Sequence, residues 1–318
     1  MRIVQMKQEK TAVLFPGQGS QFIGMGREFL EMDSQARALM ELAEEVSGFP
    51  LRRLCLEGPL EELTRTLYLQ PAMTVLNLIC WQAIERAGVR PAFFAGHSLG
   101  EYSGLCAAGI LSPRDALVLV TERGRLMERE ADGNPGGMQA VVKLDIGQVR
   151  EIVDRVRDKG VLAVANHNSA EQVVISGQEA ALAAAAALVK EQGGKAIPLK
   201  VSGAWHSELI AGAVADFEQA MARVSFQAPH TPLLFNVTAA EESDPAAIRA
   251  VMARQIASSV RWYEIAQRLM AEEVRVFIEV GPKNVLSGLI RKIIPEDYQY
   301  RCHQFDTPEG LEKVLAEL

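Results

Sequence analysis

The sequence of 318 residues is short of several things, and each shortage narrows its chemistry. Cysteine is scarce: Cys55, Cys80, Cys106 and Cys302 lie far apart with no C-x-x-C pair. That excludes a disulfide framework and a cysteine-built metal site, and it suits a reducing compartment. Positive charge is not in excess, since 33 lysines and arginines face 40 acids for a formal charge of −7. A nucleic-acid partner is therefore not expected. No apolar run is long enough to cross a bilayer; the longest, Ala180 to Val189, is alanine-rich. Met1 to Lys10 carries charge but no apolar signal core. The expectation is a cytoplasmic protein with no membrane partner. A dinucleotide fingerprint is also missing: Gly17-Gln18-Gly19 follows a strand, but Phe22 stands where the third glycine is needed.

What is present is an ordinary globular composition, 48% hydrophobic and 23% charged, with ample material for a core. Within it, Phe93-Phe94-Ala95 reads as a strand, and Gly96-His97-Ser98-Leu99-Gly100 follows. Small residues then recur at helical spacing through Gly104 and Ala108. Strand, sharp turn and helix are the context of a G-x-S-x-G nucleophile elbow, which holds a serine hydroxyl out at the turn. The strand Thr11 to Phe15 runs into a glycine-rich turn that reads either as a plain tight turn or as a loop facing Gln18 and nearby backbone toward the same pocket. Residues 27 to 87 read as helical, broken at Gly48-Phe49-Pro50 and Gly58-Pro59, with Gln70-Pro71-Ala72 opening the last helix.

The helix after the elbow begins at Pro113, with Ser112 as N-cap and Asp115 in the first turn. On its wheel Ala116, Leu119, Val120 and Met127 share one side, and Arg123 falls among them. An inward guanidinium needs an anionic partner. An internal salt bridge and a receptor for a substrate carboxylate both satisfy that need. Gly133-Asn134-Pro135-Gly136-Gly137 then reads as a domain junction. Beyond it come a strand at Met138–Val142, a helix at Ile146–Lys159 and strands at Val161–Ala165 and Gln172–Ser176. A helix at Gln178–Gln192 and a strand at Lys195–Val201 complete the unit. The order β-α-β-β-α-β is ferredoxin-like, and its sheet is expected to wall a cleft against the main domain.

The chain returns through Ser202-Gly203-Ala204-Trp205-His206-Ser207. It continues with a helix at 208–223, a strand at 233–237, helices at 245–258 and 262–271, a strand at 274–280 and a helix from Gly281 to Ile293. The last 20 or so residues read as peripheral, ending in a short helix. A serine needs a base, and only five histidines are available. His97 adjoins the serine and is expected to point elsewhere, and His230 sits between prolines in a surface loop. The order of an ordinary α/β-hydrolase triad nominates Asp297 and His303. Position at the hinge nominates His206.

Assembled, these motifs resemble the malonyl-CoA:acyl-carrier-protein transacylases, the malonyltransferases of fatty-acid synthesis, in a superfamily shared with polyketide-synthase acyltransferases. The resemblance runs from Phe15-Pro16-Gly17-Gln18-Gly19-Ser20-Gln21 to Val280-Gly281-Pro282. It includes Gly96 to Tyr102, Arg123-Gly124, Val173 to Gly177 and Gly203 to Ser207. It implies an α/β fold: an α/β-hydrolase-like large subdomain (1–132 and 204–318) with an inserted ferredoxin-like small subdomain (133–203). It implies Ser98 as nucleophile and His206 as base, the histidine oriented by a backbone carbonyl. The amides of Gln18 and Leu99 would form the oxyanion hole, Arg123 would hold the malonyl carboxylate, and Gln70, Trp205 and Asn166 would line the substrate site. No cofactor and no metal are implied, because malonyl-CoA is a substrate and the phosphopantetheine belongs to the acyl carrier protein. A monomer is expected. Trp205 departs from the family's usual phenylalanine. Arg261 replaces a frequent glutamine, at a position whose main chain is expected to contact the histidine. Lys195, Lys200, Arg261, Arg291 and Lys292 are the candidate basic patch for an acidic carrier protein. The residues alone also admit a polyketide-pathway acyltransferase or acyl hydrolase, a serine esterase, or a non-catalytic carrier-binding module.

Overall fold

A computed structural model describes residues 9–318; the charged start of the chain, through residue 8, lies outside the described residues. The chain opens with β1 (Lys10–Phe15), then a helical stretch of α1 (Arg27–Met32), α2 (Ser34–Ser47), α3 (Leu51–Glu57), α4 (Leu60–Thr64) and α5 (Thr66–Arg86). The elbow follows as β2 (Phe93–Gly96) and α6 (Gly100–Ala107), and α7 (Pro113–Gly133) closes the first part. Next come β3 (Gly137–Val142), α8 (Ile146–Arg155), β4 (Leu162–Ser169), β5 (Gln172–Gly177), α9 (Glu179–Glu191) and β6 (Lys195–Pro198). The remainder is α10 (Ala213–Met221), β7 (Leu233–Leu234), α11 (Pro245–Gln255), α12 (Trp262–Ala271), β8 (Val274–Val280), α13 (Val285–Ile293), β9 (Arg301–Phe305) and α14 (Pro308–Glu317).

Two sheets organise these elements. One is five-stranded and parallel, in the order β7-β2-β1-β8-β9; the other is four-stranded and antiparallel, in the order β4-β5-β3-β6. Parallel strands are covered on both faces, so β1 is a continuous apolar run. Its alternation still sorts the side chains: Val13 and Phe15 join the large core under α5 and α7, and Ala12 and Leu14 join the core under α12 and α13. The antiparallel sheet is shared in the same way. Val141, Val173 and Ile175 pack under α8 and α9, and Met138, Ala140 and Val174 face the main core. That second face is the expected cleft wall. The fold class is thus as the sequence indicates. Among the described residues no helix is long and apolar enough to cross a membrane.

Several boundaries differ from the sequence reading. Helix α5 begins at Thr66 and carries Pro71 inside it, because Leu69, Ala72, Met73 and their neighbours bury the whole turn and outweigh the missing amide. Strand β4 runs on to Ser169. The tail holds a real strand, β9, paired in parallel with β8 from Val276–Arg301 to Val280–Phe305. Its first four residues are all half-buried and only Phe305 is buried, as on an edge, which hides it from a search for apolar runs.

The loops after β1, β2 and β7 leave the same carboxyl end of the parallel strands, where ligands bind in open α/β folds. The elbow lies there in very close contact with β1. A Cβ on Gly100 would lie 2.0 Å from the Phe15 carbonyl oxygen, and one on Gly96 would lie 2.2 Å from the Gly100 carbonyl carbon. Backbone meets backbone, so nothing can give way. Gly100→Ala is expected to cost about 3 kcal/mol or more of stability, measured as a lowered urea midpoint with an unchanged slope.

Candidate active site

Ser98 stands between β2 and α6 with φ of 52°, and His206 sits at φ of 59°. A non-glycine residue in this region costs about 1–3 kcal/mol and is tolerated only where the surroundings fix it. The surroundings here do so. Asn236, just past β7, accepts from the Ser98 amide at 2.6 Å and donates to the Gly96 carbonyl at 2.6 Å. The Ser98 carbonyl accepts from Gln255 Nε2 at 2.8 Å.

The hydroxyl of Ser98 is 2.7 Å from His206 Nε2. His206 Nδ1–H donates to the Ser258 carbonyl at 2.9 Å and the Gln255 carbonyl at 3.2 Å. Because Nδ1 holds the proton, Nε2 presents its lone pair to the serine. Burial, then the Arg123 charge and His97, pushes the His206 imidazole down to about 3. The ring is therefore a neutral base at physiological pH. The carbonyl acceptors come from residues 255 and 258. Arg261, expected to provide that contact, instead donates its amide to the Asn236 carbonyl and its guanidinium to the Thr238 carbonyl. The chain turns at Ser258, three residues early, which puts position 261 past the imidazole.

His303, the rival base, sits on β9 against Glu317 at 3.1 Å and is no part of this cavity. His97 corrects the expectation in another way: it turns from the serine but lines the same cavity, with Nε2 2.9 Å from Asn168 Oδ1. The amides of Gln18 and Leu99 make no hydrogen bond among the described residues. Leu99 is the N-cap of α6, so its amide leads the helix dipole. Gln18, Gln70, Asn166 and Trp205 all line the cavity that holds Ser98 and His206. Trp205 is buried beside Gly203, and Asn166 Nδ2 lies 3.4 Å from His97 Nε2. No group of three or more histidines, cysteines or acids among the described residues is placed to hold a metal.

Arg123 is fully buried on α7. Its guanidinium donates to Gln70 Oε1 at 2.7 Å, Gln255 Oε1 at 3.2 Å and Ser98 Oγ at 3.3 Å, and it faces the Tyr102 ring. None of these partners is charged, and Arg123 makes no salt bridge among the described residues, which removes the internal ion pair as an explanation. The nearest acid, Glu101, lies behind Gln255: its carboxyl accepts from Gln255 Nε2 at 2.9 Å and from the Asn236 amide at 2.8 Å. Burial pushes Glu101 up to about 8.

Sequence reasoning missed Gln255, Asn236 and Glu101 as members of the site. For Gln255 the signal was available. Ile248, Val251, Met252 and Gln255 share one buried stripe of α11, so Gln255 interrupts an apolar face as Arg123 does on α7.

A serine at a strained strand–helix turn within hydrogen-bond reach of a carbonyl-held histidine, with two amides beside it that lack partners among the described residues, is the arrangement that serine acyl transfer requires. Comparison with known proteins agrees. The chain belongs to the acyl transferase domain family, which matches residues 13–299. It is 41% identical over 311 residues to a malonyl CoA-acyl carrier protein transacylase of Bacillus subtilis, covering 97% of each chain. It superposes on a malonyl-CoA:acyl carrier protein transacylase of Xanthomonas oryzae with a TM-score of 0.92 at 38% identity, covering 98% of this chain and 99% of that one. A further neighbour is the malonyl-transacylase solved in complex with a type II polyketide acyl-carrier protein. It has a TM-score of 0.93 at 31% identity, covering 97% of this chain and 100% of that one. The protein is an acyltransferase.

Because His206 is held neutral, the rate at which a neutral fluorophosphonate labels Ser98 should stay level as pH falls through 6.5. Its acidic limb should lie well below the ordinary imidazole range. Arg123→Ala removes a positive charge near the ring and should move that limb to higher pH. A pH series of labelling rates checks both.

Proposed function

We propose that the chain transfers the malonyl group from malonyl-CoA to the phosphopantetheine thiol of an acyl carrier protein, supplying fatty-acid synthesis. One observation carries the choice of acyl group: Arg123 is buried, has only neutral partners and reaches Ser98 Oγ at 3.3 Å. A buried, unmatched guanidinium costs several kcal/mol. An acyl group ending in a carboxylate supplies the missing charge through a two-oxygen contact; an acetyl group does not. Selectivity then comes from the penalty of leaving the site unpaired.

The reaction proceeds in two like halves. Ser98 Oγ attacks the thioester carbonyl while His206 Nε2 takes its proton. The Ser258 and Gln255 carbonyls steady the imidazolium that forms. The amides of Gln18 and Leu99 stabilise the oxyanion. The C–S bond breaks, the CoA sulfur leaves with the proton from His206, and malonyl remains as an ester on Ser98. The carrier thiol then gives its proton to His206 and attacks the ester carbonyl; the C–O bond breaks, Ser98 Oγ takes the proton back from His206, and malonyl leaves as a thioester of the carrier. Trp205 lines the wall of the cavity beside His206. For carrier docking, Lys195, Lys200, Arg291 and Lys292 are exposed, whereas Arg261 is half-buried and lies 3.6 Å from Glu264.

Arg123→Ala is expected to lower loading from malonyl-CoA by about a hundredfold, in line with loss of a charged hydrogen-bonded contact, while loading from acetyl-CoA holds or rises. Intact-mass measurement of the acyl-enzyme checks this, and an equal fall for both substrates would overturn the carboxylate role. Wild-type enzyme given malonyl-CoA with and without carrier protein should yield malonyl-carrier in the first case and little free malonate in the second. Steady hydrolysis regardless of carrier would instead favour an acyl hydrolase.

A further inference from the structure

One short run of β4, in the antiparallel sheet, reaches the supports of both halves of the serine–histidine pair. On one side lies the support of the base. The Val260 amide donates to the Ala165 carbonyl at 2.8 Å, and the His167 amide donates to the Val260 carbonyl at 2.9 Å, an isolated parallel bridge between β4 and the segment after α11. Val260 is two residues past Ser258, whose carbonyl holds His206 Nδ1. A side-chain contact spans the same join, with His167 Nδ1 3.2 Å from Glu264 Oε1 on α12.

On the other side lies the support of the nucleophile. Asn168 Oδ1 accepts from His97 Nε2–H at 2.9 Å, and His97 immediately precedes Ser98. The His97 ring also packs against Trp262, with centroids 5.6 Å apart. One strand can serve both sides because its pairing with β5 shifts register between Val164 and Asn166 and again between His167 and Ser169. Such bulges re-aim side chains and free backbone groups from the ladder. Here they free backbone groups for Val260 and turn Asn168 toward His97. Residues 165–169 are all buried, and the His97–Asn168 contact is part-buried at the wall of the cavity.

We propose that residues 165–168 of β4 are the positioning element of the dyad: Asn168 fixes the His97–Ser98 turn, and the Val260 bridge fixes the carbonyl that orients His206. Neither contact touches the reacting atoms. Both act on the distance and angle between Oγ and Nε2, where an error of about 1 Å costs on the order of a hundredfold in rate. The antiparallel sheet is then part of the catalytic machinery as well as a wall of the cavity. This inference rests on the serine–histidine reading of the site and is independent of the malonyl group.

The test uses the full chain with two readouts: the rate of Ser98 labelling by a fluorophosphonate, and kcat and KM for malonyl transfer. Asn168→Ala should slow labelling and lower kcat by about tenfold or more with KM nearly unchanged. Asn168→Asp keeps an oxygen acceptor for His97 and should recover most of the loss. Glu264→Gln keeps the shape of α12 and removes the charge facing His167 across the join; it should slow labelling by a few-fold. Unchanged labelling in a folded Asn168→Ala protein would overturn the inference. So would a loss confined to KM, which would make Asn168 a substrate contact, or an aspartate variant no better than alanine. If Asn168→Ala does not fold, normal labelling in Glu264→Gln overturns it. Wild-type protein that labels normally but takes no malonyl would refute the proposed substrate and leave this inference standing.

Discussion

The amide of Gln255 holds the site together: its oxygen accepts from Arg123, its nitrogen donates to the Ser98 carbonyl and to Glu101, and its main-chain carbonyl accepts from His206. An amide offers both a donor and an acceptor without a charge. That neutrality is the point. A carboxylate at this position would pair with Arg123 and complete the site from within, leaving nothing for an anionic ligand to supply. An aliphatic residue would leave the Ser98 carbonyl and the Arg123 guanidinium short of buried partners, at about 1–3 kcal/mol for each group. Gln255 keeps Arg123 in place and keeps its charge unmatched.

The same economy shapes the backbone. Ser98 and His206 both stand in the left-handed region, and the elbow glycines lie against β1 with no space for a side chain. Strain of this kind persists because many contacts fix the same atoms. The Asn236 side chain clamps the turn from the β7 side, and β1 clamps it from below. Oγ and Nε2 therefore meet at hydrogen-bond distance before any substrate arrives, so little reorganisation remains for the reaction itself.

Much of this was legible in the sequence, and the limits have physical causes. Ser98 was legible because a nucleophile elbow needs glycines at fixed places; Arg123 because it breaks an apolar stripe; His206 because it sits at a hinge. The β-α-β-β-α-β order was legible because each element has its own period and its own turn residues. Gln255 breaks a stripe too, but a glutamine on a wheel carries no charge to draw notice. Asn236 and Asn168 act through side chains whose partners lie far along the chain, and no local spacing encodes that. Glu101 lies inside the elbow motif, yet only the fold shows that it is buried behind Gln255. Strand β9 was missed because this edge strand is half-buried and largely polar up to Phe305, where an interior strand is apolar throughout.

The unmatched charge of Arg123 has one more consequence, for what the protein is doing when no carrier is at hand. A cavity that becomes electrically complete only when an anion fills it favours the loaded enzyme over the empty one. On the proposed reading, a supply of dicarboxylic thioester drives the population toward the ester on Ser98, where the carboxylate covers the guanidinium. The resting form is then a charged reservoir, already past its first half-reaction. Flux is set by how often a thiol arrives to collect.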